Sequence, residues 1–510
     1  MKKLIYLFLT VLIVACSSSI DDSSDADTTP PVITLNGSAN ISVTQGDNYT
    51  DAGATATDDV DGNLTLSITV QGSVNINELG DYTITYSVSD SSGNSSSVSR
   101  LVSVVSDVIA PVITITGNAT LDVPQYVTYN DAGATAIDDI DGDLTASIQV
   151  SVDVDINTIG TYTITYSVSD SAGNSASANR TVNVIDDGNS VYLDQNGVTI
   201  KAKSWANVGD TGVINGVTYT IVDETMLRET INPNIINQIC TTRVTNMENM
   251  IDDVMDGFGG NFPGDISTWD VSNVTTMRGM FWARTGGGGG FGFNQPIGDW
   301  DVSNVTDMRE MFRGSLAFNQ PIGDWDVSNV TDITYMFHAA EAFNQPIGDW
   351  DVSSVTDMTY ILGNASSFNQ PLSNWDVSNV TYMQYMFHKC YAFNQDISSW
   401  DVSNVTNMDY MFSGTRDFNQ PLNNWNVSNV TNMRGMFQIY NINVVAEFNQ
   451  NLSSWNVSNV TNMDSMFSRQ KKYNQNLSSW DVENVTICGN FSLYAVDWVL
   501  PRPNFTNCTP

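Results

Sequence analysis

The sequence predicts a mainly β protein: two small sandwiches followed by a stack of about nine 25-residue coils. Three observations carry that reading. A block of about 80 residues occurs twice in tandem, tryptophan returns every 25 residues through the C-terminal half, and parts of the tandem blocks alternate apolar with polar residues. Alternation marks half-buried strands, and a fixed period of 20–30 residues marks stacked repeats.

The N-terminus sets the compartment. Met1, Lys2 and Lys3 are followed by the apolar run Leu4–Val14 and then by Ala15 and Cys16. This is the layout of a secretory signal, and the run is too short to span a bilayer. Ile13-Val14-Ala15-Cys16 resembles a bacterial lipobox, which implies that Cys16 is acylated and tethers the chain to a membrane. Residues 1–16 are therefore expected to be signal and lipobox. Residues 17–28, small and acidic, are expected to be a flexible tether. The acidic run behind Cys16 also resembles a surface-export signal, so the expected location is the outer membrane, facing the cell exterior.

Net charge is −37, from 56 acidic and 19 basic residues. Such a surface repels nucleic acid and anionic lipid and favours cations. With two histidines, His338 and His388, imidazole chemistry has little material.

Residues 29–106 and 107–186 are read as the two sandwiches. Pro31-Val32-Ile33-Thr34 recurs as Pro111-Val112-Ile113-Thr114, and Tyr82–Asp90 recurs as Tyr162–Asp170. Asp51-Ala-Gly-Ala-Thr-Ala, Asp61-Gly62 and Gly93-Asn94 resemble the bacterial Ig-like modules of exported adhesins and hydrolases. Residues 191–250 read as a connecting unit that caps the repeats, with hairpin turns at Asn196-Gly197 and Asn215-Gly216 and a helix from Glu224 to Ile231.

The repeats occupy residues 251–487, with 488–510 as a C-terminal cap. Tryptophan stands at 269, 300, 325, 350, 375, 400, 425, 455 and 480. Val follows two and five residues later and Met eight later, with Ile333 and Cys488 as exceptions. A Phe column runs from Phe293 to Phe448 and ends in Tyr473. Excess residues enter at Gly286–Gly290 and Ile439–Val445. Ile297-x-x-Trp300-x-Val302 fits the strand of a leucine-rich repeat, with Asn304 near its ladder asparagine. Thr306–Phe312 spaces its apolar residues as a short helical turn would. The repeat FNQPIGDWDVSNVTDM closely resembles those of BspA-like leucine-rich-repeat surface proteins. That resemblance implies a solenoid, export, adhesion to proteins or cells, and no enzymatic activity.

Several residues bear on chemistry. Asp299 and Asp301 recur as Asp324 and Asp326 and as Asp349 and Asp351, an outward acidic face. These six are the candidate ligand-binding residues. Acids repeating unchanged are unlike an active site, which needs one set apart by its surroundings. No catalytic residue is assigned. The loops Asp58-Asp59-Val-Asp61-Gly62 and Asp138-Asp139-Ile-Asp141-Gly142 read first as solvated Asp-Gly turns. Calcium is the alternative there, with Asp59, Asp61, Asp139 and Asp141 as ligands, and is expected to affect residues 29–186 little. His338 and His388 fall in a column read as solvent-facing, and Cys390 in one read as semi-buried. Cys488 and Cys508 are a candidate disulfide, which an exported protein permits. No cofactor is expected. The partners expected are a membrane through the lipid and an extracellular protein or glycan, with no nucleic acid. Two functions compete: an adhesin displaying its repeats beyond an Ig-like spacer, and a carbohydrate-binding or carbohydrate-processing lipoprotein.

Overall fold

The computed structural model describes residues 26–230, 235–250, 264–282 and 292–510. Cys16 with its signal, most of the tether, and the glycine-rich insertion at 286–290 lie outside the described residues. No helix among the described residues is long and apolar enough to cross a membrane. The two 80-residue modules supply nearly all of one compact unit. Residues 184–510, with two short segments of the second module, form the other.

The first module has seven strands: β1 (Val32–Leu35), β2 (Asn40–Thr44), β3 (Ala54–Asp58), β4 (Gly62–Asn63), β5 (Thr69–Gln71), β6 (Gly80–Ser89) and β7 (Ser95–Val105). They form two sheets, β1-β3-β4 and β2-β7-β6-β5. Strands β6 and β7 pair antiparallel from Gly80↔Val104 to Ser89↔Ser95, while β2 lies parallel to β7. Ile84, Tyr86 and Val102 face Ile33 and Leu35 across the core, with Val43 beside them on the same sheet, which is why Tyr82–Val88 alternates. Arg100 is wholly buried in that core. Its guanidinium pairs with Asp51, and its Nε and Nη2 donate to the carbonyls of Ser38 and Gly53 at 3.1 and 3.2 Å. The second module repeats the plan as β8 (Val112–Ile115), β9 (Thr120–Pro124), β10 (Ala134–Asp138), β11 (Gly142–Asp143), β12 (Gln149–Ser151), β13 (Gly160–Ser169) and β14 (Ser175–Ile185). Arg180 and Asp131, 3.3 Å apart, replace Arg100 and Asp51.

The connecting unit holds two hairpins, β15 (Val191–Leu193) with β16 (Ile200–Ala202) and β17 (Thr211–Ile214) with β18 (Val217–Ile221). Asn215 and Gly216 both take positive φ, 50° and 81°, as a two-residue hairpin turn requires. Helix α1 (Glu224–Thr230) follows, and β19 (Ile239–Cys240) lies parallel to β18. Glu224 Oε1 accepts from the backbone of Thr245 and Asn246, at 2.7 and 3.2 Å, so it closes the open end of the first repeat. One apolar core then runs unbroken from Val222 to Trp498, with Phe505 packed on its end.

Within that core the Trp, Val, Met and Phe columns are all buried. Each indole N–H finds a carbonyl of the preceding repeat. Trp325 Nε1 donates to Ile297 at 3.2 Å and Trp375 to Ile347 at 2.8 Å. A buried indole needs such a partner, and stacking supplies it. Phe312 and Phe337 stack at 5.6 Å, Phe318 and Phe343 at 5.9 Å.

The assignment of extended and turning segments differs from the sequence reading. Ile297-x-x-Trp300-x-Val302 is not a strand. Trp300 and Val305 donate to Ile297 and Val302, closing two consecutive turns. Asp301 Oδ1 accepts from the Ser303 amide at 3.1 Å, and this local bond bends the chain where a strand was expected. Thr306–Phe312 is not a helical turn either. It carries the ladder: Asp307 bridges to Asp332 in parallel, and Met308, Glu310 and Phe312 each donate to the next repeat at 2.9 Å. Glu310 has φ 60°, which no right-handed helix tolerates. The three-and-four spacing here serves turns stacked on a ladder. Asn304 Nδ2 donates to the Ser272 carbonyl at 2.7 Å, in the preceding repeat.

Candidate functional site

Two exposed faces of the repeats compete as the site. The first is the acidic face. Asp299, Asp301, Asp324, Asp326, Asp349 and Asp351 are all exposed and alternate with buried Trp and Val. Asp301, Asp326 and Asp351 each accept a hydrogen bond from the serine two residues on. For Asp326 those serine bonds hold the carboxyl below its usual value. The same bond recurs at Asp376 and Asp401, and Asn426 and Asn456 make it without a charge. A bond that survives loss of the charge is a turn device.

The second face was not singled out from sequence. Ten residues after each tryptophan, four consecutive repeats place Tyr335, Tyr360, Tyr385 and Tyr410. Their half-buried rings form a continuous stack with centroids 4.8, 4.2 and 4.9 Å apart. Arg313 lies 5.1 Å from the Tyr335 ring and Arg434 5.3 Å from that of Tyr410, so a guanidinium closes each end. All four tyrosines sit at φ 52–59°, which is exceptional for a bulky side chain. Gly435 takes the same backbone turn in the next repeat. A Cβ there would meet the Tyr410 ring at 2.3 Å, so glycine leaves room for the last ring.

His338 and His388 flank this stack rather than facing solvent. His338 meets the Tyr360 ring edge-on at 5.0 Å, and His388 is only 7 % exposed. The column reading fails because the tyrosine rings cover it. Burial, helped by nearby Arg313 and Lys389 for His338 and by Lys389 for His388, lowers both imidazoles to about 4. Asp409, beside Tyr410, is pushed by burial up to about 6 despite the Arg434 charge. Burial likewise pushes Tyr385 up to about 12.

This face also concentrates unsatisfied polar atoms. Arg309 Nε, His338 Nδ1, Gln384 Oε1, His388 Nδ1, Asp409 Oδ1 and Gln438 Oε1 are buried with no protein partner. Native proteins rarely leave such groups unpaired without a reason. Strained tyrosines, shifted titrations and unspent hydrogen-bonding capacity thus coincide on one wall.

Residues 223–348, 343–444 and 441–495 match the family described as Mycoplasma protein of unknown function, DUF285, together more than half of the chain. The chain belongs to the DUF285 family. Residues 33–104 and 113–184 match the bacterial surface protein Ig-like domain, so surface-type Ig-like modules precede the DUF285 repeats. A curated relative, the "Uncharacterized 81.3 kDa protein" of Acholeplasma phage L2, is 32% identical over 158 residues, 29% of this chain. The match spans 21% of that relative's length. Among solved structures, the M60 catalytic domain with CBM51 domains of Clostridium perfringens ZmpB is similar over 31% of each chain, at 15% identity and TM-score 0.20. A lipoprotein of Bacteroides thetaiotaomicron is similar over 29% of this chain and 97% of its own, at 14% identity and TM-score 0.15.

The remaining sequence candidates fall as follows. Cys488 and Cys508 form a disulfide, with Cα atoms 5.9 Å apart, tying the C-terminal tail to the last DUF285 repeat. Cys390 is fully rather than partly buried, and burial raises its thiol well above the usual range. Asp59 is exposed, while Asp61 and Asp141 each spend both oxygens on Ser91 and Ser171. The tyrosine column was findable. A column occupied by one residue type in a block of repeats, and by glycine, glutamate, serine or asparagine elsewhere, is a departure that a structural requirement common to all repeats does not explain.

Proposed function

We propose that this DUF285 protein is a surface adhesion protein that binds a protein partner through the tyrosine wall of its repeats. The Ig-like modules serve as spacer, and the acyl group on Cys16 holds the chain at the cell surface. The stacked coils then form a leucine-rich-repeat-like solenoid whose ladder lies on the Thr-x-Met segment. The observation that carries the reading is the ring stack itself. Tyrosine and arginine are the residues on which protein interfaces concentrate their energy, and here both are held rigid in advance, which lowers the ordering cost of binding.

The stack also weighs against a carbohydrate ligand. Sugars pack on the faces of aromatic rings, and these faces are already occupied by neighbouring rings 4.2–4.9 Å away. What the wall offers is ring edges and hydroxyls. Nothing on it resembles an acid–base pair set up for catalysis, so binding without turnover is the proposed activity. Arrays of matrix proteins and of glycans test it. Binding to a protein spot is expected to fall at least tenfold in the Tyr360→Asn/Tyr385→Asn double variant, because asparagine tolerates the left-handed backbone. Glycan binding untouched by that variant would overturn the proposal. Membrane retention of a Cys16→Ser variant would overturn the lipid anchor.

A further inference from the structure

Of the calcium ligands proposed from the loop sequences, Asp59, Asp61, Asp139 and Asp141, only Asp139 is among the carboxylates that converge in the Ig-like modules. Asp27, Asp58 and Asp90 bring carboxylate oxygens within 4.8 Å of one another. Asp107, Asp138 and Asp139 do the same in the second module. Asp27 and Asp107 are equivalent under the 80-residue offset, as are Asp58 and Asp138, so two of the three members recur, while the third is Asp90 in the first module and Asp139 in the second. Its members come from the chain entering each module, the end of β3 or β10, and in the first module the residue after β6.

Acidic clusters are common, and a second observation sets these apart. Asp138 is 4 % exposed, and its Oδ2 is buried with no hydrogen-bond partner. Its Oδ1 is fixed by the amides of Ile140 and Asp141, at 3.0 and 2.9 Å. Asp58 repeats both features. Its Oδ1 accepts from Val60 and Asp61 at 3.0 and 2.9 Å, and its Oδ2 is buried and unpaired. Asp27 also holds one oxygen on a main-chain amide, that of Thr29 at 2.9 Å, and leaves Oδ2 unpaired. In each case local bonds orient the carboxylate and leave one lone oxygen. Among the described residues, the ion pairs within these modules join Arg100 to Asp51 and Arg180 to Asp131, so no basic side chain neutralises the clusters. Buried anionic oxygens without donors or counter-charge are costly.

We propose that each Ig-like module binds one calcium ion, through Asp27, Asp58 and Asp90 in the first and Asp107, Asp138 and Asp139 in the second. An all-oxygen donor set without histidine or cysteine selects a hard cation. Carboxylates fixed in place by their local bonds, in a shell completed by water and carbonyls, suit calcium's variable six to eight ligands better than magnesium's strict octahedron. Water and main-chain carbonyls complete the shell. Asn94 Nδ2 already donates to the Asp27 carbonyl at 3.0 Å, and Asn174 Nδ2 to that of Asp107 at 3.2 Å. The ion therefore fixes the segment entering each module onto that module, and stiffens the spacer where calcium is plentiful. A marked calcium effect is thus expected in place of the weak one read from the loops, because all the proposed ligands except Asp139 differ from the four loop residues on which that reading rested.

Calorimetric titration of the full protein with calcium chloride, after chelation, tests this. Two equivalents are expected in the wild type, one in Asp58→Asn, one in Asp138→Asn and none in the double variant. The quadruple repeat variant Asp324, Asp326, Asp349 and Asp351 to Asn controls for diffuse attraction to the acidic surface and is expected to keep both. Each single variant carries the other module as its own folding control. Thermal melts of the unmodified protein need no variant: calcium is expected to raise the Ig-like transition by several degrees over chelator, and magnesium by much less. Coincident melts in calcium and chelator, or two equivalents surviving in the double variant, would overturn the proposal.

Discussion

The acidic and tyrosine faces belong to the same repeats, yet their residues are chosen by different rules. On the acidic face Asp301, Asp326, Asp351, Asp376 and Asp401 all accept from the serine two residues on, and Asn426 and Asn456 substitute freely. On the tyrosine face the side chain changes in a block while the backbone turn persists, as Glu310, Tyr335, Gly435 and Ser465 all adopt left-handed φ or its glycine equivalent. A column kept in every repeat reports what stacking demands. A column specialised in four adjacent repeats, at the expense of backbone comfort, reports something beyond stacking.

That contrast can be broken most directly through the constant core. Trp375 is 3 % exposed and its N–H is bound at 2.8 Å, so Trp375→Ala is expected to cost about 3–5 kcal/mol through the cavity and the orphaned Ile347 carbonyl. Denaturant unfolding measures it. A loss below about 1 kcal/mol would mean that single columns do not carry the stack.

Next is the pH response of the tyrosine wall. His338 and His388 are lowered to about 4 in the folded protein. The unfolded chain, with an ordinary imidazole near 6.5, therefore binds more protons between these values, and stability is lost as pH falls from about 6.5 to 4. For buried His388 alone the loss approaches about 3 kcal/mol. Asp409, raised to about 6, acts in the opposite sense. Its folded form holds the proton more tightly, so its contribution declines as pH rises from about 4 to 6. His388→Gln is expected to flatten the acid limb of a Tm–pH profile, and Asp409→Asn to raise Tm at pH 7. An unchanged acid limb in His388→Gln would mean that the imidazole is hydrated.

The smallest effect is expected on the acidic face. Changing Asp324, Asp326, Asp349 and Asp351 together to Asn keeps the turn acceptor and removes like charges stacked along the repeats. Stability is expected to stay within about 1 kcal/mol of wild type, or to rise slightly. A larger loss would show that these carboxylates hold more than their turns.

Legibility in the sequence divides along similar lines. The Trp, Val, Met and Phe columns were readable because period and burial coincide, and the Tyr82–Val88 alternation placed a sandwich strand directly. The ladder was misplaced because apolar residues three apart suit a turn, a helix or a repeat strand equally. What decided between them was the Asp301–Ser303 bond and the left-handed backbone at Glu310, neither of which spacing encodes. Buried Arg100 with Asp51, and the Asp27–Asp58–Asp90 cluster, were invisible for another reason. Their members lie 31 to 63 residues apart and meet only when the sheets close. Of the two exposed faces, the acidic one was noticed for its regularity, whereas the tyrosine one, which departs from the consensus, was passed over.

The central claim is that recognition resides where the repeats depart from their consensus. It is tested most directly by a cell-adhesion assay comparing two folded variants, Tyr360→Asn/Tyr385→Asn and the four-fold Asp→Asn protein. Adhesion lost in the first and kept in the second is the result expected. Adhesion kept in the first and lost in the second would contradict the account and return the site to the acidic face.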